Sequence, residues 1–389
     1  MDHEHPTLQI ILRDGILDLG WGHPDPELLP RAAMRQAAID AADWYGTDML
    51  AYGHAAGAGP LLAWLRARIS TNEGRDPGAE GMVLTGGNSL GLDQVCTLLA
   101  NPGDVVLVES PTYHFAVKIL RDHPLELVPV PADRDGLLVD RIEPIVARLQ
   151  AAGKRVRMLY CVPTFHNPTG VSLPHDRRVQ LVDLAERLGF LIAEDDVYRD
   201  LAYQGRAPES LWSLDRAGVV VRLGSFAKSL APGVRLGWIT AAPELVARIA
   251  GGGVLDSGGG VNHFAALTVA AFCRANQLDP HLERLRAAYR ERSAILGAVL
   301  APFLPPGSEL RAPQGGFFTW LTLPEGWDTQ ALLPQAEQAG VSYIPGARFY
   351  LDPGQGRQSL RLAHSLYGPD RLAEAAERLG QVLAANHRA

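Results

Sequence analysis

The chain has 389 residues, of which 47% are hydrophobic and 20% charged, a balance that supports a large buried core and excludes a disordered or fibrous protein. Its formal net charge of −7, with acids and bases interspersed, advertises no basic face for nucleic acid, and no run approaches the roughly 20 apolar residues of a membrane span. Neither nucleic acid nor a membrane is an expected partner.

At this length one large and one smaller domain are expected. Cys96, Cys161 and Cys273 are odd in number and share no ligand spacing, which argues against disulfides and a structural zinc. The opening MDHEHPTLQIILRDG has charges ahead of a short apolar run, unlike a signal or transit peptide, so a cytoplasmic location is expected.

In chain order, residues 1–45 hold no long strand run and are expected to pack on the smaller domain. From 46 to 280, short runs rich in Val, Ile and Leu (MVLTGG, DVVLVES, LELVPV, VRMLYCVP, GFLIAEDD and VVVRLGSF) alternate with helical patterns, which predicts a parallel α/β sheet covered by helices on both faces. In the helices between them, Asn88 is placed as an N-cap and Gly189 as a C-cap. Gly runs at 251–253 and 258–260 predict a mobile loop. After Pro280 comes one long charged helix, then GGFFTWLTLP, GVSYIPG and SLRLAHS, which predict a separate α+β domain over 281–389.

Ligands of open α/β sheets bind beyond the carboxyl ends of the strands, so the residues just after each run are the informative ones. Lys228, in LGSFAKSLAPGVRLGW, has only small neutral neighbours; alone it fits a solvated loop lysine as well as a nucleophile that has lost hydration. Ser225 before it and Arg235 after it could aim a hydroxyl and a guanidinium at a phosphate. Glu194, Asp195 and Asp196, followed by Tyr198, fit a strand-end turn or a helix cap, and lack the histidines of a metal site. Beside a pyridine ring over Lys228, Asp195 would keep the ring nitrogen protonated. Gly87, Asn88 and Ser89 open a helix whose amino end suits an anion. Tyr113 could stack on a flat ring, and Asn167, in HNPTG, could bind a phenolic oxygen or simply form a turn.

PTY, NPTG, EDDVY and SFAKSLAPGVRLGW, in this order and at these separations, resemble the class I and II aminotransferases of pyridoxal-phosphate fold type I. The nearest branch holds aminoadipate, kynurenine and aromatic aminotransferases and the aminotransferase-like domains of bacterial regulators. The resemblance implies a large domain with a mostly parallel sheet, a smaller α+β domain, and transfer of an amino group from an α-amino acid to a 2-oxo acid in two half-reactions. It makes Lys228 the Schiff-base lysine and Asp195 the partner of the pyridine nitrogen. Tyr198 and Asn167 would bind the ring oxygen, and Tyr113 would stack on the ring. Gly87, Asn88, Ser89, Ser225 and Arg235 would hold the phosphate of pyridoxal 5'-phosphate. Tyr52, in AYGHAAGAG, would reach a phosphate in the other subunit of a homodimer with shared sites. Gly22 would lie beside the substrate and Arg361 would clamp its α-carboxylate.

Two departures stand out. Asn88 and Ser89 occupy positions that are usually Ser-Gln or similar, and Leu62 replaces a common arginine, so an ion pair is expected to be missing there. Arg13, Trp21, His166 and His263 are open to pocket, core or surface roles. The same cofactor also serves lyases and oxidases, and a sensor could bind it without turnover; these are the alternative readings.

Overall fold

The computed structural model describes residues 8–387. The first half contains β1 (Leu17–Asp18), α1 (Arg31–Tyr45), α2 (Gly59–Glu73), β2 (Met82–Thr85), α3 (Asn88–Leu99), β3 (Val105–Ser110), α4 (His114–Arg121), β4 (Glu126–Asp133), β5 (Gly136–Leu137), α5 (Ile142–Ala151) and β6 (Val156–Cys161). Then follow α6 (His175–Leu188), β7 (Leu191–Asp195), α7 (Leu211–Leu214), β8 (Val220–Ser225), β9 (Gly237–Thr240), α8 (Pro243–Ala250), α9 (Gly253–Gly258) and α10 (His263–Arg274). The chain closes with α11 (Leu278–Leu300), β10 (Glu309–Leu310), β11 (Phe318–Thr322), α12 (Thr329–Gln338), β12 (Val341–Ser342), β13 (Ile344–Pro345), β14 (Ser359–Ala363) and α13 (Pro369–His387).

Because successive strand residues point to opposite faces, one sheet separates two cores. Leu84, Leu107, Leu159, Ile192 and Val220 face α2, α6 and α10. Their neighbours Val83, Val106, Met158 and Val221 face α3 and α8. The eight strands run in the order β2-β9-β8-β7-β6-β3-β4-β5, so the sheet is mixed and mostly parallel. The sequence reading missed β9, a four-residue strand that lies antiparallel between β2 and β8. Strands β3, β6, β7 and β8 are mutually parallel and release their carboxyl ends on one edge, where the functional residues collect.

The smaller sheet has the order β10-β11-β14-β13 and is antiparallel. Helix α11 joins the two bodies: Leu282 and Leu285 pack in the core shared with α2, whereas Leu296 and Leu300 pack with β11, β14 and α13.

Three local expectations need correction. Residues 8–45 do not all pack on the smaller domain, because β1 pairs with β12 of the smaller sheet while Ala37 and Ala41 let α1 lie closely on α10; residues 1–7 lie outside the described residues. The Gly runs flank a helix, α9, instead of forming an open loop. Their glycines serve close approach: a Cβ at Gly260 would stand 2.4 Å from the His54 carbonyl, and one at Gly259 2.6 Å from that of Gly53. The cap of α3 is Gly87, not Asn88. Gly189 does cap α6, in the left-handed conformation at φ 73°.

Arg292 on α11 ties the amino-terminal segment down, donating from Nη2 to Asp25 Oδ2 at 2.6 Å and from Nη1 to the Ser365 carbonyl at 2.9 Å, with both charged side chains buried. Asp25→Ala would leave that guanidinium buried without its counter-charge. A loss of about 3–5 kcal/mol is expected in denaturant unfolding, and a change below about 1 kcal/mol would show that the pair is not structural.

Candidate active site

Strand β8 ends at Ser225, and the turn after it carries Lys228. The Lys228 amine donates to the Gly22 carbonyl at 3.1 Å and lies 5.4 Å from the centre of the Phe317 ring. Loss of hydration first, then the Arg361 charge, pushes its pKa from 10.5 down to about 8; Asp195 opposes the shift and Arg235 adds to it. About a tenth of the amine is therefore neutral at pH 7, far more than for an ordinary lysine.

Asp195 terminates the next strand, β7, and is buried. Its Oδ1 accepts from Asn88 Nδ2 at 2.8 Å and its Oδ2 from the Tyr160 hydroxyl at 2.7 Å. Burial raises its pKa to about 6, while Tyr160 and Asn88 pull the other way. Asp196 turns from this site toward Arg199 and Arg222, at 2.5 and 2.9 Å, and Arg222 also reaches Glu73 at 2.5 Å. This buried network pins the strand end that carries Asp195. Its cations are Arg222 on β8 and Arg199 just after β7, whereas Leu62 packs against the core.

From the smaller sheet, Arg361 on β14 donates to Asn167 Oδ1 at 2.9 Å and to the Gly20 carbonyl at 2.6 Å. Phe318 and Phe349 flank its guanidinium at 4.1 and 5.0 Å, and its buried Nε has no partner. Burial lowers its pKa from 12.5 to about 10, so it stays charged. Tyr198 lies beside Asn167, and its buried ring meets Phe317 and Phe318 edge-on. Gly22 lies so close to Phe318 that a Cβ would stand 2.6 Å from Cζ.

A further group gathers at the start of α3. Gly87 has φ 87°, and a Cβ there would stand 2.7 Å from Arg235 Nη2. The Arg235 guanidinium donates to the carbonyls of Gly86 and Pro232, at 3.1 and 3.4 Å, and meets no carboxylate among the described residues. Ser225 Oγ is buried and accepts from the Ala227 amide at 3.0 Å. Ser89 is exposed on the first turn of α3, and Tyr113 stands half-buried before α4. Asn88 departs from expectation, because its amide turns inward to Asp195 and the Leu223 carbonyl. Tyr52 is 88% exposed in the single chain, outside the cluster.

These groups fit pyridoxal phosphate. They offer a helix amino end and an unpaired guanidinium for a phosphate, a carboxylate for a ring nitrogen, and an amine of reduced basicity for an aldehyde. Residues 14–379 match the family Aminotransferase class I and II. The chain belongs to this family. The aromatic-amino-acid aminotransferase 1 of Thermococcus litoralis is 31% identical to it over 97% of this chain and 90% of its own. The multiple substrate aminotransferase from Thermococcus profundus superposes with a TM-score of 0.91 at 30% identity, covering 97% of this chain and 93% of its own. The Pyrococcus horikoshii kynurenine aminotransferase, solved with PMP, gives 0.90 at 31% identity, over 96% of this chain and 92% of its own.

Sequence reasoning about this aminotransferase missed Tyr160, which sits inside an apolar strand, and the aromatic pair around Arg361. The one signal for Tyr160 was a hydroxyl in a run otherwise suited to burial. The residues left open have partners: His166 lies 3.0 Å from Glu109, His263 meets the Asp48 carbonyl at 3.1 Å, Arg13 pairs with Asp18 and Glu337, and Trp21 packs edge-on against His23.

Acylation of Lys228 in the cofactor-free aminotransferase, followed by mass spectrometry of its peptide, should rise with a midpoint near pH 8. Arg361→Leu should move that midpoint upward. An unchanged midpoint near the ordinary lysine value would contradict the electrostatic reading.

Proposed function

We propose that this aminotransferase binds pyridoxal phosphate at Lys228 and passes an amino group from an α-amino acid to a 2-oxo acid, both substrates using the one site in turn. The observation that carries the proposal is the convergence of Lys228, Asp195 and Arg361, from the turn after β8, from β7 and from the smaller sheet, so that the charges of Asp195 and Arg361 both act on the Lys228 amine. When bound, the cofactor supplies an aldehyde for the amino group and a ring that withdraws electrons from the α-carbon.

The residues of this chain do the rest. Arg361 holds the substrate carboxylate in a bidentate grip, using donors now spent on Asn167 and Gly20 and its unpartnered Nε. Asp195 accepts from the ring nitrogen, Asn167 and Tyr198 orient the ring oxygen, and Tyr113 stacks on the ring. Gly87, Ser89, Ser225 and Arg235 hold the phosphate. The Lys228 amine takes the α-proton of the amino acid and, in the second half of the cycle, delivers a proton to the α-carbon of the acceptor. Phe318 and Phe349 flank the carboxylate site and help to exclude water.

A homodimer with shared sites is part of the proposal. Leu50, Tyr52, Val254 and Phe264 are 78%, 88%, 81% and 54% exposed, an apolar group that a second copy would cover while bringing Tyr52 to the neighbouring phosphate. A cytoplasmic location is supported by three free, buried cysteines. No helix among the described residues is long and apolar enough to cross a membrane. Lyase, oxidase and sensor readings are not favoured, since relatives matched over nearly their full length carry aminotransferase names.

Lys228→Ala should still bind pyridoxal phosphate but lose turnover by about 10²–10⁴-fold or more, the usual worth of a positioned proton carrier. Turnover at the wild-type rate, measured by 2-oxo acid release, would refute the assignment.

A further inference from the structure

We infer that Tyr160 and Asn88 form a two-donor clamp that holds Asp195 as a carboxylate, and that both are positioning residues for transamination. The inference rests on the proposed reading of Asp195 as the partner of the cofactor's ring nitrogen.

Tyr160 is fully buried on β6, and its hydroxyl donates to Asp195 Oδ2 at 2.7 Å. Its ring packs with Val106, Val108 and Ala193, a place that phenylalanine would fill as well, so the core itself makes no demand for the hydroxyl. Asn88 donates to Asp195 Oδ1 at 2.8 Å and to the Leu223 carbonyl at 3.1 Å. Both partners are acceptors, which fixes the amide orientation: turning it over would set its oxygen against both. Its Oδ1 is left buried without a partner, and a Cβ at Gly237 would stand 3.2 Å from it. The amide is thus wedged beneath the cleft and aimed at Asp195.

Each carboxylate oxygen receives one protein donor and keeps lone-pair capacity for another. The neighbours leave the decision to these donors. Asp196, just after β7, and Lys228, after β8, carry opposite charges and act in opposite directions on Asp195. Tyr113 at the start of α4, Tyr198 after β7 and Cys161 beside Tyr160 are all pushed upward by burial and stay neutral at neutral pH. Burial favours the protonated carboxyl, and the hydrogen bonds from Tyr160 and Asn88 are the strongest forces opposing it. Losing either donor raises the pKa of Asp195, so the carboxylate is lost at a higher pH as pH falls.

The test is equilibrium binding of pyridoxal phosphate, and of an analogue with carbon in place of the ring nitrogen, to cofactor-free wild type and Tyr160→Phe across pH 6–9. At pH 7 the variant should bind pyridoxal phosphate about 10-fold more weakly, the scale of one hydrogen bond to a charged group. The deficit should shrink toward pH 9 and be absent with the analogue. A deficit that is the same at every pH and for both ligands would mean a packing defect and overturn the clamp, as would no deficit at all. Wild type binding both ligands equally would instead overturn the reading of Asp195. A melting curve checks folding, and if Tyr160→Phe does not fold, Asn88→Ala carries the same comparison with the same outcomes.

Discussion

A carboxylate and an amine share a buried cleft without pairing, and much of the surrounding architecture answers that constraint. Dehydration alone would protonate Asp195 and deprotonate Lys228, silencing both charges and freeing the lone pair of the amine. The protein resists the first change and permits the second. Two hydrogen-bond donors reach Asp195, whereas the Lys228 amine receives one backbone carbonyl and the nearby charge of Arg361. The proposed roles need this asymmetry: a lasting negative charge beneath a ring, and an amine basic enough to take a proton yet neutral enough to attack.

The fold supplies the convergence. Parallel strands β6, β7 and β8 bring Tyr160, Asp195 and the Lys228 turn to neighbouring places, and the antiparallel sheet delivers Arg361 from the other side. Asn167 joins the halves, accepting from Arg361 while lying beside Tyr198. Helix α11 runs through both cores and gives the two sheets a common axis.

Much of this was legible in the sequence, because a polar residue just after a buried strand has few other places to point. Lys228, Asp195, Tyr198, Asn167 and Arg361 all follow or sit in such runs, and the structure brings them together. What escaped was direction and partner. Asn88 read as a cap or an anion ligand because Gly87 and the helix start were visible, whereas its inward turn depends on the room left by Gly237, far along the chain. Tyr160 was hidden by its strand. The Gly runs read as mobile because a sequence does not reveal the backbone at residues 53–55 against which Gly259 and Gly260 pack. The amino-terminal segment divides between two bodies because small residues on α1 match α10, a match that exists only in three dimensions.

The most direct test of the central claim is the visible absorption of the cofactor-loaded protein during addition of one amino acid and then one 2-oxo acid. The band should fall with the donor, with one 2-oxo acid released per site, and return with the acceptor. Release of ammonia, or a band unchanged by every amino acid tried, would contradict it.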